Sequence, residues 1–227
     1  MASHDAPRRG RKRAALLTGV LAILAAASAA DAAERELDFR ELKAVESDHK
    51  NSYYELRKDE TGSYVHADYK PGDAATKQAL VLPEADRRGH HTLSWRWRAL
   101  VLPAGGDECD PHKTDSAASV YIAWRRGLRW YGVKYSWSAV TPIGSICDRH
   151  DSTFLRGETV ILRSGGPLNT WVTESIDLEA AFHKHVTPKD PNAEVPDLIG
   201  IAVLTDGDQT HSESSADFGS FVFGTTP

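Results

Sequence analysis

From Ser52 to Phe223 the chain alternates apolar and polar residues in short runs. Clusters of Gly, Pro, Asp and Asn separate them, which is the pattern of strands joined by turns. Ser52–Asp59 and Ser63–Tyr69 flank Glu60-Thr61-Gly62 as a hairpin, and Lys77–Leu82 ends at Pro83. His91–Leu102 is a long alternating run. Ala118–Trp124 and Trp130–Ser138 follow, joined by the turn Arg125–Arg129. Glu158–Arg163 and Thr170–Asp177 flank Ser164-Gly165-Gly166-Pro167, and Leu198–Thr205 and Ser214–Phe223 complete the set. One helix is predicted, Leu178–Val186, with Asp177 as N-cap and Pro188 past its end. About ten strands and one short helix predict an all-β fold, an antiparallel β-sandwich of jelly-roll type, as a single domain over residues 33–227.

Strand parity refines this, because successive side chains point to opposite faces. In His91–Leu102, Leu93, Trp95, Trp97 and Ala99 share one face, and Ser94, Arg96 and Arg98 share the other. Val133, Tyr135 and Trp137 likewise oppose Lys134, Ser136 and Ser138, while Val160 and Leu162 oppose Ile161 and Arg163. The apolar faces are expected to pack between the sheets. A polar surface bearing Arg96, Arg98, Lys134 and Arg163 follows, and it has two readings. It is a ligand groove if the arginines lack carboxylate partners, and an ordinary wet sheet face if each is paired.

The chain begins differently. Arg8, Arg9, Arg11, Lys12 and Arg13 precede an apolar stretch from Ala14 to about Ala27. Small-residue sites of the A-x-A kind follow at Ala27-Ser28-Ala29 and Ala30-Asp31-Ala32. This order predicts a secretory signal peptide over residues 1–32, cleaved near Ala32 or Ala33, and a periplasmic or secreted protein. A membrane span needs ~20 apolar residues, and Asp31 with Glu34 closes this stretch early, so no span is expected after cleavage. Residues 1–32 hold five basic and two acidic residues. Without them the 27 basic and 32 acidic residues become 22 and 30, a net charge of −8. That balance argues against nucleic acid, or an anionic lipid surface, as the main partner.

Several constellations could carry chemistry. Thr205-Asp206-Gly207-Asp208, with Asp217 further on, offers hard oxygen ligands for a calcium ion, and Asp-Gly-Asp is equally good turn chemistry; no cofactor is required. Cys109-Asp110-Pro111-His112 and Cys147-Asp148-Arg149-His150 share a C-D-x-H pattern. The two cysteines predict one disulfide in an exported domain, with a four-ligand zinc site as the alternative. There is no G-x-S-x-G elbow and no phosphate-binding loop. Sugar chemistry is the most natural enzymatic reading. Glu174 with Asp206 or Asp208 could supply the two carboxyls of a hydrolase. Arg96, Arg98, Lys134 and Arg163 could instead neutralise a uronate for a lyase, with Tyr121 or Tyr135 as base. Aromatics stack on sugar rings, but most of the six tryptophans share parity with Leu and Val and are expected in the core.

A set of motifs occurs in order along the chain: Trp95-Arg96-Trp97-Arg98, Asp115 through Tyr121, Tyr135-Ser136-Trp137, Pro142-Ile143-Gly144, Val160 through Gly165, Trp171-Val172-Thr173-Glu174 and Gly200 through Asp208. Together they resemble the bacterial family catalogued as domain of unknown function 3047, from about Tyr53 to Phe223. The resemblance implies an exported galactose-binding-like or jelly-roll sandwich and implies no activity. Ser119 and Ser220 depart from the family pattern, in which Arg and Asp often stand there. The expectation is therefore a ligand-binding sandwich taking an anionic carbohydrate or cell-envelope glycan. Its ligand-binding candidates are Arg96, Arg98, Tyr121, Lys134, Arg163, Glu174, Asp206 and Asp208. A lyase or hydrolase on the same groove, or a structural envelope protein, are the alternatives.

Overall fold

A computed structural model describes Met1, residues 34–45 and residues 53–225. The predicted signal peptide and Ser52 lie outside the described residues. The chain divides into two units, Met1–Asp31 and Ala32–Pro227. The strands of the second unit are β1 (Arg35–Glu36), β2 (Lys43–Val45), β3 (Tyr54–Asp59), β4 (Gly62–Tyr69), β5 (Lys77–Val81), β6 (Thr92–Val101) and β7 (Ser116–Arg126). They continue as β8 (Arg129–Ser138), β9 (Ile146–Asp151), β10 (Leu155–Ser164), β11 (Val172–Asp177), β12 (Asp197–Leu204) and β13 (Ser214–Gly224), with helix α1 (Leu178–His185) after β11. Sheet A runs β11-β6-β13-β4-β3 with β1 on β13, and sheet B runs β2-β5-β12-β7-β8-β10-β9. The fold is a β-sandwich.

Parity places the core where the pattern put it. Leu93, Trp95, Trp97 and Ala99 of β6 and Ala216, Phe218, Phe221 and Phe223 of β13 turn inward from sheet A. Val120, Ile122, Trp124, Val133, Tyr135 and Trp137 meet them from sheet B. Trp95 packs edge-on to Trp97, and Trp97 edge-on to Trp137, joining the sheets through rings. Helix α1, capped by the Asp177 carboxylate accepting from the Ala180 N–H, adds Phe182 against Trp124 and Tyr131. Tyr135 is thereby a core residue, and burial above all raises its hydroxyl pKa, so it is withdrawn as a base.

Sheet B is mixed, because β8 and β10 run parallel. Gly132 and Gly157 are register partners there. A Cβ on Gly157 would lie 2.0 Å from the Gly132 carbonyl oxygen, so only glycine fits. Two irregularities escape an alternation rule. A bulge at Leu162 pairs Arg163 with Trp137, resetting parity. In β13 the register shifts between Gly219 and Val222, where Ser220 takes a φ of 49°. Strands β1, β2 and β9 carried no alternation signal. β9 is an edge strand buried only at Cys147. Cys109 and Cys147 are joined as a disulfide, and the zinc alternative falls because its thiolates are used.

Candidate functional site

The regular alternation of β6 sends Ser94, Arg96 and Arg98 to the outward face of sheet A. Register then sets two rows across the strands. One runs Arg98, Asp217, His66 and Glu55; the next runs Thr173, Arg96, Gly219, Tyr64 and Arg57. In the first row Arg98 Nε donates to Asp217 Oδ2 at 2.6 Å, and His66 Nδ1 lies 2.7 Å from Asp217 Oδ1. Asp217 is almost fully buried, so these two partners are what make its charge tolerable there. In the second row Arg96 lies across Gly219, where a Cβ would come within 2.8 Å of its Nε. Its Nη1 donates to the hydroxyl of Thr61, and that hydroxyl donates to Asp59. The Thr61 hydroxyl, more than the nearby arginines, holds Asp59 below the ordinary carboxylate range.

Trp171, on the chain just before β11, covers both arginines. Its ring centroid is 4.3 Å from the Arg96 guanidinium carbon and 4.5 Å from that of Arg98, with Tyr64 edge-on at 5.6 Å. The two arginines therefore divide between the two readings of this face. Arg98 is paired with a carboxylate; among the described residues Arg96 has none, and its Nε and Nη2 are buried without a hydrogen-bond partner there. Trp171, Tyr64, His66 and Thr61 were not among the ligand-binding candidates named from sequence, although Trp171 heads one of the family motifs. For Tyr64 and His66 a signal existed, since they oppose Val65 and Ala67 in a hairpin strand.

Lys134 and Tyr121 lie elsewhere, on the outward face of sheet B, where they are register partners. Residues 103–115 fold against this face. Lys134 Nζ reaches Glu108 Oε2 at 2.9 Å, and Glu108 is buried, its N–H donating to Thr141 Oγ1. Ser116, Ser119 and Ser136 continue the face as a chain of buried hydroxyls at 2.6 and 2.9 Å. Ser119 is fully buried. Burial raises Tyr121 to about 12 despite Lys134 beside it. Burial also lifts Asp206 to about 7, opposed by Lys134 and by the Ser116 N–H at 3.0 Å. Burial alone would depress Lys134, but Tyr121, Glu108 and Asp206 together hold it above the ordinary lysine value.

The remaining candidates separate further. Past the Leu162 bulge, Arg163 Nε donates to Glu174 Oε1 at 2.7 Å, and Trp97 Nε1 donates to the same oxygen at 3.1 Å. This ties sheet B to sheet A at one edge, so Arg163 does not join Lys134 and Glu174 does not oppose Asp206 or Asp208. The surface expected to carry Arg96, Arg98, Lys134 and Arg163 together is thus split among three places. Asp206 and Asp208 do lie together, but their third carboxylate is Asp115, not Asp217: oxygens of the three fall within 4.8 Å of one another. They offer hard ligands to calcium. Asp115 already accepts from the Gln209 and Thr210 N–H groups, which serves the turn chemistry of residues 205–212. Among the described residues no helix is long and apolar enough to cross a membrane.

The family model described as "Protein of unknown function (DUF3047)" matches residues 40–222. The chain belongs to this family. No curated protein matches this DUF3047 member in sequence. Its fold is similar to a family 11 carbohydrate-binding module from Clostridium thermocellum, solved with a mixed-linked tetrasaccharide. The identity is 10%, the coverage 84% of this chain and 94% of that one, and the TM-score 0.44. It is also similar to the xyloglucanase domain of NopAA, a type three effector from Sinorhizobium fredii, in complex with cellobiose. There the identity is 8%, the coverage 83% and 100%, and the TM-score 0.41. Likenesses this distant concern the fold alone and carry no ligand to this chain.

Proposed function

We propose that this protein is an exported glycan-binding β-sandwich whose sheet A outward face takes an acidic carbohydrate of the cell envelope. One observation carries the reading: Trp171 is half-exposed over Arg96 and Arg98, and Arg96 has no carboxylate partner. An indole stacks on the apolar face of a sugar ring, and a guanidinium whose charge no carboxylate neutralises suits a uronate or sulfate. Tyr64, Asp217 and Thr61 fix the arginines beforehand, which reduces the ordering entropy lost on binding. Export rests on the N-terminal signal pattern together with the disulfide. The binding needs no cofactor. The test is an array of acidic and neutral glycans probed with the oxidised protein and with Trp171→Ala. Retention of acidic glycans by the wild type and their loss from the variant is expected; retention of neutral glycans alone would reject the acidic class.

Cleavage of such a glycan on the same face is a second reading, favoured by His66. Its Nδ1 is oriented by buried Asp217, while its Nε2 has no partner among the described residues. An oriented imidazole of this kind can take the proton beside a uronate carboxylate, with Arg96 stabilising the charge that develops. Unsaturated products appearing with the wild type and absent with His66→Gln would support it. Intact glycan after prolonged incubation would leave a binder.

A further inference from the structure

Two tryptophans escape the core, Trp171 and Trp130, and the second marks a different surface. At one end of sheet B the β7–β8 turn and the β9–β10 turn meet. Trp130 N–H donates to Phe154 O at 2.8 Å, and Arg129 donates to the carbonyls of Thr153 and Ser152 at 2.8 and 3.2 Å. The tips are thereby locked together. They expose large apolar side chains: Leu128 is 75% exposed, Phe154 64%, Leu155 43% and Trp130 39%. Register puts Arg125, Trp130 and Leu155 side by side across β7, β8 and β10, with Arg125 5.0 Å from the Trp130 ring.

The charges here are unlike those of the whole. Arg125 Nε is held by Gly127 O at 2.7 Å, and Arg129 by the carbonyls above. Among the described residues neither makes an ion pair, so backbone oxygens fix their direction without neutralising them. The bordering carboxylates are engaged by other arginines: Asp197 by Arg88, Glu194 by Arg126 and Asp151 by Arg156. A net charge of −8 over residues 33–227 thus coexists with a local cationic excess beside exposed apolar tips.

We propose that this end of sheet B docks on an anionic phospholipid surface, Leu128 and Phe154 entering the headgroup boundary and Arg125 and Arg129 meeting phosphates. The pairing of apolar tips with unneutralised arginines is what such a surface rewards, since neither a neutral bilayer nor a soluble anion would use both. This inference is independent of the glycan face on sheet A.

The test is co-sedimentation of the unit Ala32–Pro227 with vesicles of phosphatidylglycerol and phosphatidylcholine, against vesicles of phosphatidylcholine alone. Binding to the mixed vesicles is expected to be at least about tenfold tighter and to weaken as salt rises. Arg125→Ala/Arg129→Ala and Leu128→Asp/Phe154→Asp are each expected to reduce binding at least about tenfold. The melting temperature is expected to stay unchanged in the exposed aspartate pair and to fall in the alanine pair, which also loses its hydrogen bonds to the Gly127, Ser152 and Thr153 carbonyls. Equal binding to both vesicles, no binding to either, or wild-type binding by the alanine pair would overturn the proposal. So would a wild type that self-associates through these tips without sedimenting with lipid, which would make the end a protein interface.

Discussion

The outward faces of the two sheets start from the same alternation and end as different surfaces. On sheet B the polar side chains are covered by residues 103–115 and by the turn after β12. Lys134, Glu108, Asp206 and the serine hydroxyls become a buried network joined by hydrogen bonds and an ion pair. On sheet A the half-exposed ring of Trp171 lies over the arginines, and Arg96 has no carboxylate partner among the described residues. A polar face covered by its own chain contributes to stability. One left open beneath a single aromatic can still contribute to recognition. Comparing them teaches that position in a strand decides which way a residue points, and that the loops decide what it does there.

Breaking the covered face should have the largest effect. Glu108→Ala would leave Lys134 buried without its carboxylate, and a loss of about 3–5 kcal/mol in urea unfolding is expected. A loss below about 1 kcal/mol would mean that water already reaches the pair. Next comes the covering loop itself. The disulfide joins Cys109, beside Glu108, to β9, so Cys109→Ser/Cys147→Ser is expected to lower stability by about 2–4 kcal/mol. The same pair should leave affinity for an acidic glycan unchanged, because the proposed glycan face is on the other sheet.

The pH dependence of stability sharpens the contrast further. Burial raises Asp206 from 3.8 to about 7 in the fold, so the native state holds this proton more tightly than the unfolded chain. Its stabilising contribution is complete below pH 3.8 and is lost as pH rises through about 7. Asp206→Asn is therefore expected to flatten the fall in unfolding free energy over that window. An unchanged slope would place the titration elsewhere. The smallest effect is expected from chelator. Asp115, Asp206 and Asp208, the carboxylates that could take calcium, follow or precede strands of sheet B. Glycan affinity with and without chelator should agree within error, and a loss on chelation would tie the two faces together.

Much of the fold was legible because β6 alternates along its length and β7 and β8 alternate over Ala118–Trp124 and Trp130–Ser138, with their core tryptophans in phase with Leu and Val. Trp95, Trp97, Trp124 and Trp137 are core residues for that reason. β9 was not legible, since an exposed edge strand of Asp, Arg and His has no apolar phase to read. The site was legible only in part. Arg96 and Arg98 point where parity sent them, but parity does not say which sheet's outward face a residue lies on, and so Lys134 was grouped with them wrongly. Arg163 was misplaced by a one-residue bulge that leaves no mark in the sequence. Trp171 fell within the predicted run Thr170–Asp177, but alternation gives a phase and not the contact with Arg96 and Arg98 that it makes just ahead of β11.

The most direct test of the open face is the affinity of Arg96→Ala for the acidic glycans that the wild type retains, measured beside its unfolding midpoint. Affinity at least about tenfold weaker, equal to about 1.4 kcal/mol, is predicted, with a midpoint nearly unchanged because Arg96 has no carboxylate to strand. Equal affinity in the variant, or a wild type that retains no acidic glycan, would contradict a glycan site on this face.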